Sequence, residues 1–171
     1  MELIVTIPRS INTFADAISK SYDLHDYSVT DSFFQLASNL SKLNCNIDRF
    51  ANNLNTKLSV FNSASFCVGT SGVDAFKYSW SKPFVNWLFP PPHLVLRTMN
   101  KLIIEKGIGL LVVPEWKSAD FYPCLLQLRK HKKNEMWNFK GTNVFETGID
   151  TSSYFGPEFN CAVNLWKIDF S

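Results

Sequence analysis

Two carboxylates stand where a folded sheet could use them. Asp48 lies near the end of the short apolar segment NCNIDRFA, and Asp74 follows the small, glycine-bearing stretch GTSGV. An aspartate at the carboxyl end of a strand can hold a ribose hydroxyl in nucleotide-binding sheets. The same residue type caps helices and closes turns, because its short side chain accepts from nearby backbone N–H groups. Local sequence leaves both roles open for both residues. A further feature is NWLFPPP, residues 86–92, where large apolar side chains stop at a row of prolines. Proline has no N–H for a sheet ladder, so the run reads as a buried strand ending in a rigid corner.

Other chemistries are poorly represented. His25, His93 and His131 have no partner at metal or triad spacing. No GxGxxG, GxxxxGK[ST] or GxSxG motif occurs, so the familiar phosphate cradles and the serine nucleophile elbow are missing. Cys45, Cys67, Cys124 and Cys161 lie far apart and form no CxxC pair, which suits reduced thiols in an intracellular protein. A net charge of +2 is too small to advertise nucleic-acid binding by charge alone. The basic cluster at residues 129–133 reads as the solvated end of a helix.

The elements that must position these residues follow from periodicity and punctuation. At 171 residues, with 46% hydrophobic and 19% charged side chains, the chain suits one folded domain with a substantial core. A strand is predicted over residues 2–7 and a short helix over 14–20. A second helix, capped at Thr30-Asp31, runs to about residue 43 and presents Phe33, Leu36, Ala37 and Leu40 on one face. Short strands follow at residues 44–51, with Asp48 near the end, and at 58–61. The apolar strand at 84–89 then gives way to a helix whose first turn accepts Pro91 or Pro92. That helix buries Val95, Met99, Leu102 and Ile103 and ends at Gly107, a natural C-cap. IGLLVVP, residues 108–114, is a continuous apolar strand of the kind buried on both faces of a sheet. A helix capped by Ser118 extends to about residue 129, residues 132–158 read as loop, and residues 159–170 as a closing strand.

Strand, helix, strand, helix over residues 84–129 predicts an open α/β sheet. In such sheets ligands sit beyond the carboxyl ends of the strands. Asp48, Pro90–Pro92 and Pro114–Trp116 would share that edge. No apolar run reaches the length of a membrane span and the N-terminus lacks the features of a signal peptide, so the expected location is intracellular, cytoplasmic or nuclear, with no membrane partner.

IPRSINTFADAISK, residues 7–20, resembles the closing segment of retroelement RNase H domains. In that family the aspartate matching Asp16 is the last of the metal-binding carboxylates, which hold two ions about 4 Å apart. The others would lie upstream of this sequence, so the resemblance implies no RNA hydrolysis and no metal site from Asp16 alone. Five further blocks, IDRFANNLN, GTSGVDAFKYSW, NWLFPPPHLVLR, LLVVPEWKSADFYPCL and FNCAVNLWKIDF, resemble the segment after RNase H in DIRS-like retrotransposon polyproteins. That segment is similar to phage-type Dam adenine-N6 methyltransferases. The resemblance implies an RNase H tail at residues 1–20 and a methyltransferase-like domain at 21–171. It also implies a Rossmann-like methyltransferase-type fold: an α/β open, mostly parallel sheet with helices on both faces.

By the same resemblance Asp48 and Asp74 are candidate cofactor contacts, and Trp80, Asn86 and Trp116 candidate substrate contacts. The corner Phe89, Pro90, Pro91, Pro92 stands where the enzymes carry NPPY. There the Asn side chain and a proline carbonyl accept from the adenine amino group, and the Tyr stacks on the flipped base. Transfer of the methyl group from S-adenosylmethionine depends on that alignment. In this sequence Phe89 replaces the Asn and Pro92 the Tyr, while Asn86 sits three residues early. The expectation is a non-catalytic methyltransferase-like module with no cofactor. Its partners would be nucleic acid, or the reverse transcriptase and RNase H parts of the same polyprotein. The alternatives are an active S-adenosylmethionine-dependent DNA adenine-N6 methyltransferase and a stand-alone host-derived interaction protein.

Overall fold

The computed structural model describes residues 27–147, 155–156 and 159–171. The expected strand at 2–7, the helix at 14–20, Asp16 and the boundary at residue 20 lie outside the described residues.

Strand β1 (Tyr27–Val29) leads into helix α1 (Asp31–Ser41), whose start is set by Thr30: its hydroxyl oxygen accepts from the Phe33 N–H at 3.2 Å. Of the anticipated face of α1, Phe33 and Ala37 are buried, joined by Ser41, whereas Leu36 and Leu40 remain 41% and 39% exposed. Ser41 fits the interior by donating to the Ala37 carbonyl at 2.7 Å. Strand β2 (Ile47–Asp48) is short. The strand anticipated at 58–61 survives only as an isolated bridge between Asp48 and Phe61.

Strand β3 (Val85–Leu88) ends at the proline corner, and Pro92 opens a single 3-10 turn that passes directly into helix α2 (Val95–Ile104). Val95, Thr98, Met99 and Leu102 are buried in α2, while Ile103 is turned outward at 49% exposure. The left-handed residue that ends this helix is Lys106, with φ of 52°, rather than Gly107. Strand β4 (Ile108–Pro114) follows, then helix α3 (Tyr122–Leu128), which begins after Phe121 without a side-chain cap rather than at Ser118. Two strands occupy the region anticipated as loop: β5 (Glu135–Lys140) and β6 (Phe145–Thr147). Strand β7 (Ala162–Asp169) closes the chain.

The main sheet has the order β2-β3-β4-β7-β5, and β1 pairs with β6 in a separate antiparallel ribbon. β2 with β3 and β3 with β4 are parallel, whereas β4 with β7 and β7 with β5 are antiparallel. This corrects the expectation of a Rossmann-like, mostly parallel sheet with helices on both faces. The sheet is mixed, and the molecule has three α-helices among the described residues. α2 and α3 cover one face. The other is covered by the single helix α1 together with the β1–β6 ribbon and the aromatic side chains of Phe155 and Phe159.

The cause lies in the closing strand. β5 does run in the direction of β4, as a crossover through α3 requires, but β7 inserts between them and pairs antiparallel with both. β4 is accordingly buried on both faces, with Leu110 and Val112 in one core and Leu111 and Val113 in the other. Gly109 lies opposite Asn86 in the register, where a Cβ would come within 2.2 Å of the Asn86 carbonyl oxygen. Among the described residues no helix is long and apolar enough to cross a membrane.

Candidate functional site

A cleft of about 200 Å³ opens beyond the carboxyl ends of β2 and β3. Its walls come from separate segments: Arg49 to Ala51 just after β2, Asp74 to Phe76, and the corner with the start of α2, through Phe89, Pro91 and Arg97. Of the residues expected to share this edge only Pro91 lines the cleft; Asp48, Pro90, Pro92 and Pro114–Trp116 do not.

Arg49 is the unusual component. It is 2% exposed, yet it forms no ion pair among the described residues. Its Nε donates to the Asn86 Oδ1 at 2.7 Å, Nη1 to the Asn62 Oδ1 at 2.8 Å, and Nη2 to the Ser79 carbonyl at 2.6 Å. The guanidinium also lies over the rings of Phe84 and Trp80, at 5.0 and 5.6 Å. Burial pulls its pKa down to about 10, against the opposing charge of Glu105, so it stays protonated at neutral pH. A charge held by neutral acceptors and ring faces keeps its net positive charge in the interior behind the cleft, since none of those partners lines it.

Arg97 is the second cation. Its guanidinium stacks 3.9 Å above the Phe76 ring on the exposed side of α2. Asp74, the carboxylate among the lining residues, is already engaged: its Oδ1 accepts from the Phe76 N–H at 3.1 Å and caps a 3-10 turn at Ala75–Lys77. Asp74 makes this contact with a φ of 63°, a sign of φ that aspartate adopts more readily than most residues.

The other sequence candidates are spread more widely. Asp48 is 3% exposed and does not line the cleft. Its carboxylate accepts from the N–H groups of Phe50 and Lys57, at 3.3 and 3.1 Å, and so clasps the loop after β2. Burial raises its pKa to about 6, more than the two backbone N–H groups and the Lys57 charge lower it. Trp80 is wholly buried, with its indole N–H on the Ala75 carbonyl at 2.9 Å. Asn86 is wholly buried as well: its Nδ2 donates to the carbonyls of Trp80 and Ile108, at 2.9 and 2.8 Å, while its Oδ1 serves Arg49. Trp116, past the end of β4, is half-buried and stacks on Phe155 at 6.0 Å, outside the cleft.

At the corner, Phe89 is 7% exposed and its ring stacks on Phe145 at 5.2 Å. Pro90 and Pro91 are buried and Pro92 half-buried. Cys45, beside β2, has its thiol pushed up to about 12 by burial, so it supplies no nucleophile at neutral pH. Among the described residues no three His, Cys, Asp or Glu side chains come together as a metal site. Comparison with protein-family models, curated proteins and solved structures finds no match to the chain.

The clasp at Asp48 has a pH signature. An ordinary aspartate titrates near 3.8, and the folded chain holds Asp48 near 6. Between those values the folded state binds the extra proton, so stability falls as pH rises. The contribution is fully present below about pH 4 and lost above about pH 6. Urea unfolding of the native chain and Asp48→Asn across that range should show a difference that changes by up to about 3 kcal/mol. Parallel pH profiles would show that Asp48 does not titrate in this window.

Proposed function

We propose that the chain is a non-catalytic, methyltransferase-derived module of a retroelement polyprotein, acting in nucleic-acid metabolism beside reverse transcriptase and RNase H. Three of the sequence blocks that carry the resemblance, IDRFANNLN, GTSGVDAFKYSW and NWLFPPPHLVLR, supply walls of this cleft. Convergence of blocks so far apart in the chain supports their common descent as a site.

The observation that carries the absence of transfer is the packing of Phe89. An N6 transfer needs a side-chain acceptor at this corner for the amino group. Phe89 has none, and its ring is committed to Phe145. Asn86 cannot substitute, because both ends of its amide already serve Arg49, Trp80 and Ile108.

The test is a thermal melt of the chain with and without millimolar S-adenosylmethionine, followed by an assay for N6-methyladenine in DNA. The expected result is no shift in Tm and no methyl transfer, since any ligand that binds only the folded state must raise apparent stability. Phe89→Asn is expected to remain inactive. Methyl transfer by either protein would establish the alternative, an active adenine-N6 methyltransferase.

A further inference from the structure

We infer that the basic turn after α3, at the end of the sheet opposite the cleft, is a docking surface for the phosphate backbone of a nucleic acid. This stands on the placement of charge and needs neither the retroelement kinship nor the loss of methyl transfer.

The net charge of +2 conceals a segregated surface. Helix α3 stops at Leu128, so Arg129, Lys130, Lys132 and Lys133 lie beyond it, all of them exposed. The turn that carries them is ordered by its own bonds. The N–H groups of Lys130 and His131 donate to the Gln127 and Leu128 carbonyls, and that of Asn134 to the His131 carbonyl. The Asn134 side chain then fixes the turn on both sides. Its Nδ2 donates to the Leu128 carbonyl at 3.1 Å and its Oδ1 accepts from the Asp169 N–H at 2.9 Å. Arg129 lies over the Trp166 ring at 6.0 Å, and Lys133 donates to the Ser171 carbonyl at 2.6 Å. Like charges held in one turn repel one another, a cost that a row of phosphates would offset.

Lys82 and Lys106, both exposed, join this surface from distant segments. β7 ends at Asp169, opposite Ile108 at the start of β4, so the turn sits at the amino end of β4, away from the cleft. There the Phe170 N–H donates to the Gly107 carbonyl, next to Lys106, and the Phe170 ring meets His131 at 5.0 Å. Burial raises the Asp169 carboxyl, but bonds from Ser171 and the charges of Lys133 and Lys82 outweigh it and hold it below the ordinary value. Lys82 therefore acts at the same end. The neighbouring carboxylates Glu105 and Glu135 are already paired with Lys101 and Lys167. Among the described residues, Lys82, Lys106, Arg129, Lys130 and Lys132 form no ion pair. No large apolar side chain is exposed in the turn or at residues 80–83, 105–107 and 167–171. A protein interface or a lipid surface would need such groups to bury, whereas a phosphate backbone is held by cations alone.

The full chain is titrated by fluorescence anisotropy against short labelled duplex DNA, single-stranded DNA and single-stranded RNA. Polyglutamate and vesicles of phosphatidylserine with phosphatidylcholine serve as competitors. At least one nucleic acid is expected to bind. If about three phosphates are neutralised, raising salt about fourfold from about 50 mM weakens binding roughly 20-fold for a single strand and roughly 40-fold for a duplex. Lys130→Gln combined with Lys132→Gln should cut that salt effect to roughly threefold at unchanged Tm. Lys82→Gln combined with Lys106→Gln should act in the same direction, and it leaves the turn itself intact. Lys117→Gln, beyond the carboxyl end of β4, should bind as the native chain does. The tightest of the three nucleic acids assigns the form that the surface takes. No binding of any of them, a salt response unchanged in both paired variants, an equal loss in Lys117→Gln, or polyglutamate or vesicles bound as tightly as the best nucleic acid overturns the inference. None of these readouts involves S-adenosylmethionine, so either proposal can fail alone.

Discussion

Arg49→Ala lowers the unfolding free energy by about 3–5 kcal/mol, the scale set by three buried acceptors left without a donor. The loss has several sources. Truncation removes a side chain that fills the space between β2 and the segments carrying Asn62, Ser79 and Asn86. It also leaves the Asn62 and Asn86 Oδ1 atoms and the Ser79 carbonyl without their donor, each at about 1–3 kcal/mol if no water replaces it. Asn86 is the critical one, because its amide also ties the Trp80 carbonyl to the Ile108 carbonyl, across β3 and β4. Arg49→Lys should recover little, since an ammonium is a compact point charge and cannot span acceptors arranged around a planar fork. The midpoint of urea unfolding, at unchanged m value, measures the effect. A loss below about 1 kcal/mol would mean the network is replaceable by water.

Trp80→Ala is the second large effect, again about 3–5 kcal/mol. Trp80 has no exposed surface and packs between Phe50 and Phe76, with ring centroids at 6.0 and 5.4 Å. Its N–H satisfies the Ala75 carbonyl, the first residue of the turn that shapes the cleft wall. Trp80→Phe keeps most of the packing and removes only that donor, so about 1–3 kcal/mol should be lost. These two variants separate a core residue from a ligand contact. If Trp80 acts mainly as a substrate contact, Trp80→Ala would melt close to the native chain and change binding alone.

Much of the local structure was legible in the residues. The cap at Thr30, the apolar strand ending at the proline corner, the helix beginning at Pro92 and the doubly buried run at residues 108–114 all follow from local chemistry and period. β5 was not legible because the edge strand does not alternate cleanly between core and solvent. Trp137 and Phe139 face the α1 side of the sheet, Met136 the opposite side, and Asn138 water. The face of α1 was misjudged for a related reason. Leu36 and Leu40 fit a helical stripe, but Ser41 takes the interior place because it can donate to its own helix backbone.

The site divides in the same way. That the corner carries no hydrogen-bonding side chain at Phe89 could be read from residue order. Arg49 could not, although it stands beside Asp48. An arginine after a strand reads as solvated, and its burial depends on acceptors from residues 62, 79 and 86 meeting at one point.

By itself, then, the amino-acid order determined the capped helix α1, the strand that ends at the proline corner, the helix that follows it and the doubly buried strand β4. Those choices rest on backbone sterics, capping and burial period within a few neighbouring residues. The tertiary structure alone decided that β7 enters antiparallel between β4 and β5, that Asp48 is a clasp rather than a wall, and that Arg49 and Arg97 share a cleft. Each of those outcomes is a contact between residues distant in the chain, set by which pairing buries the most apolar surface while leaving the fewest polar groups unsatisfied.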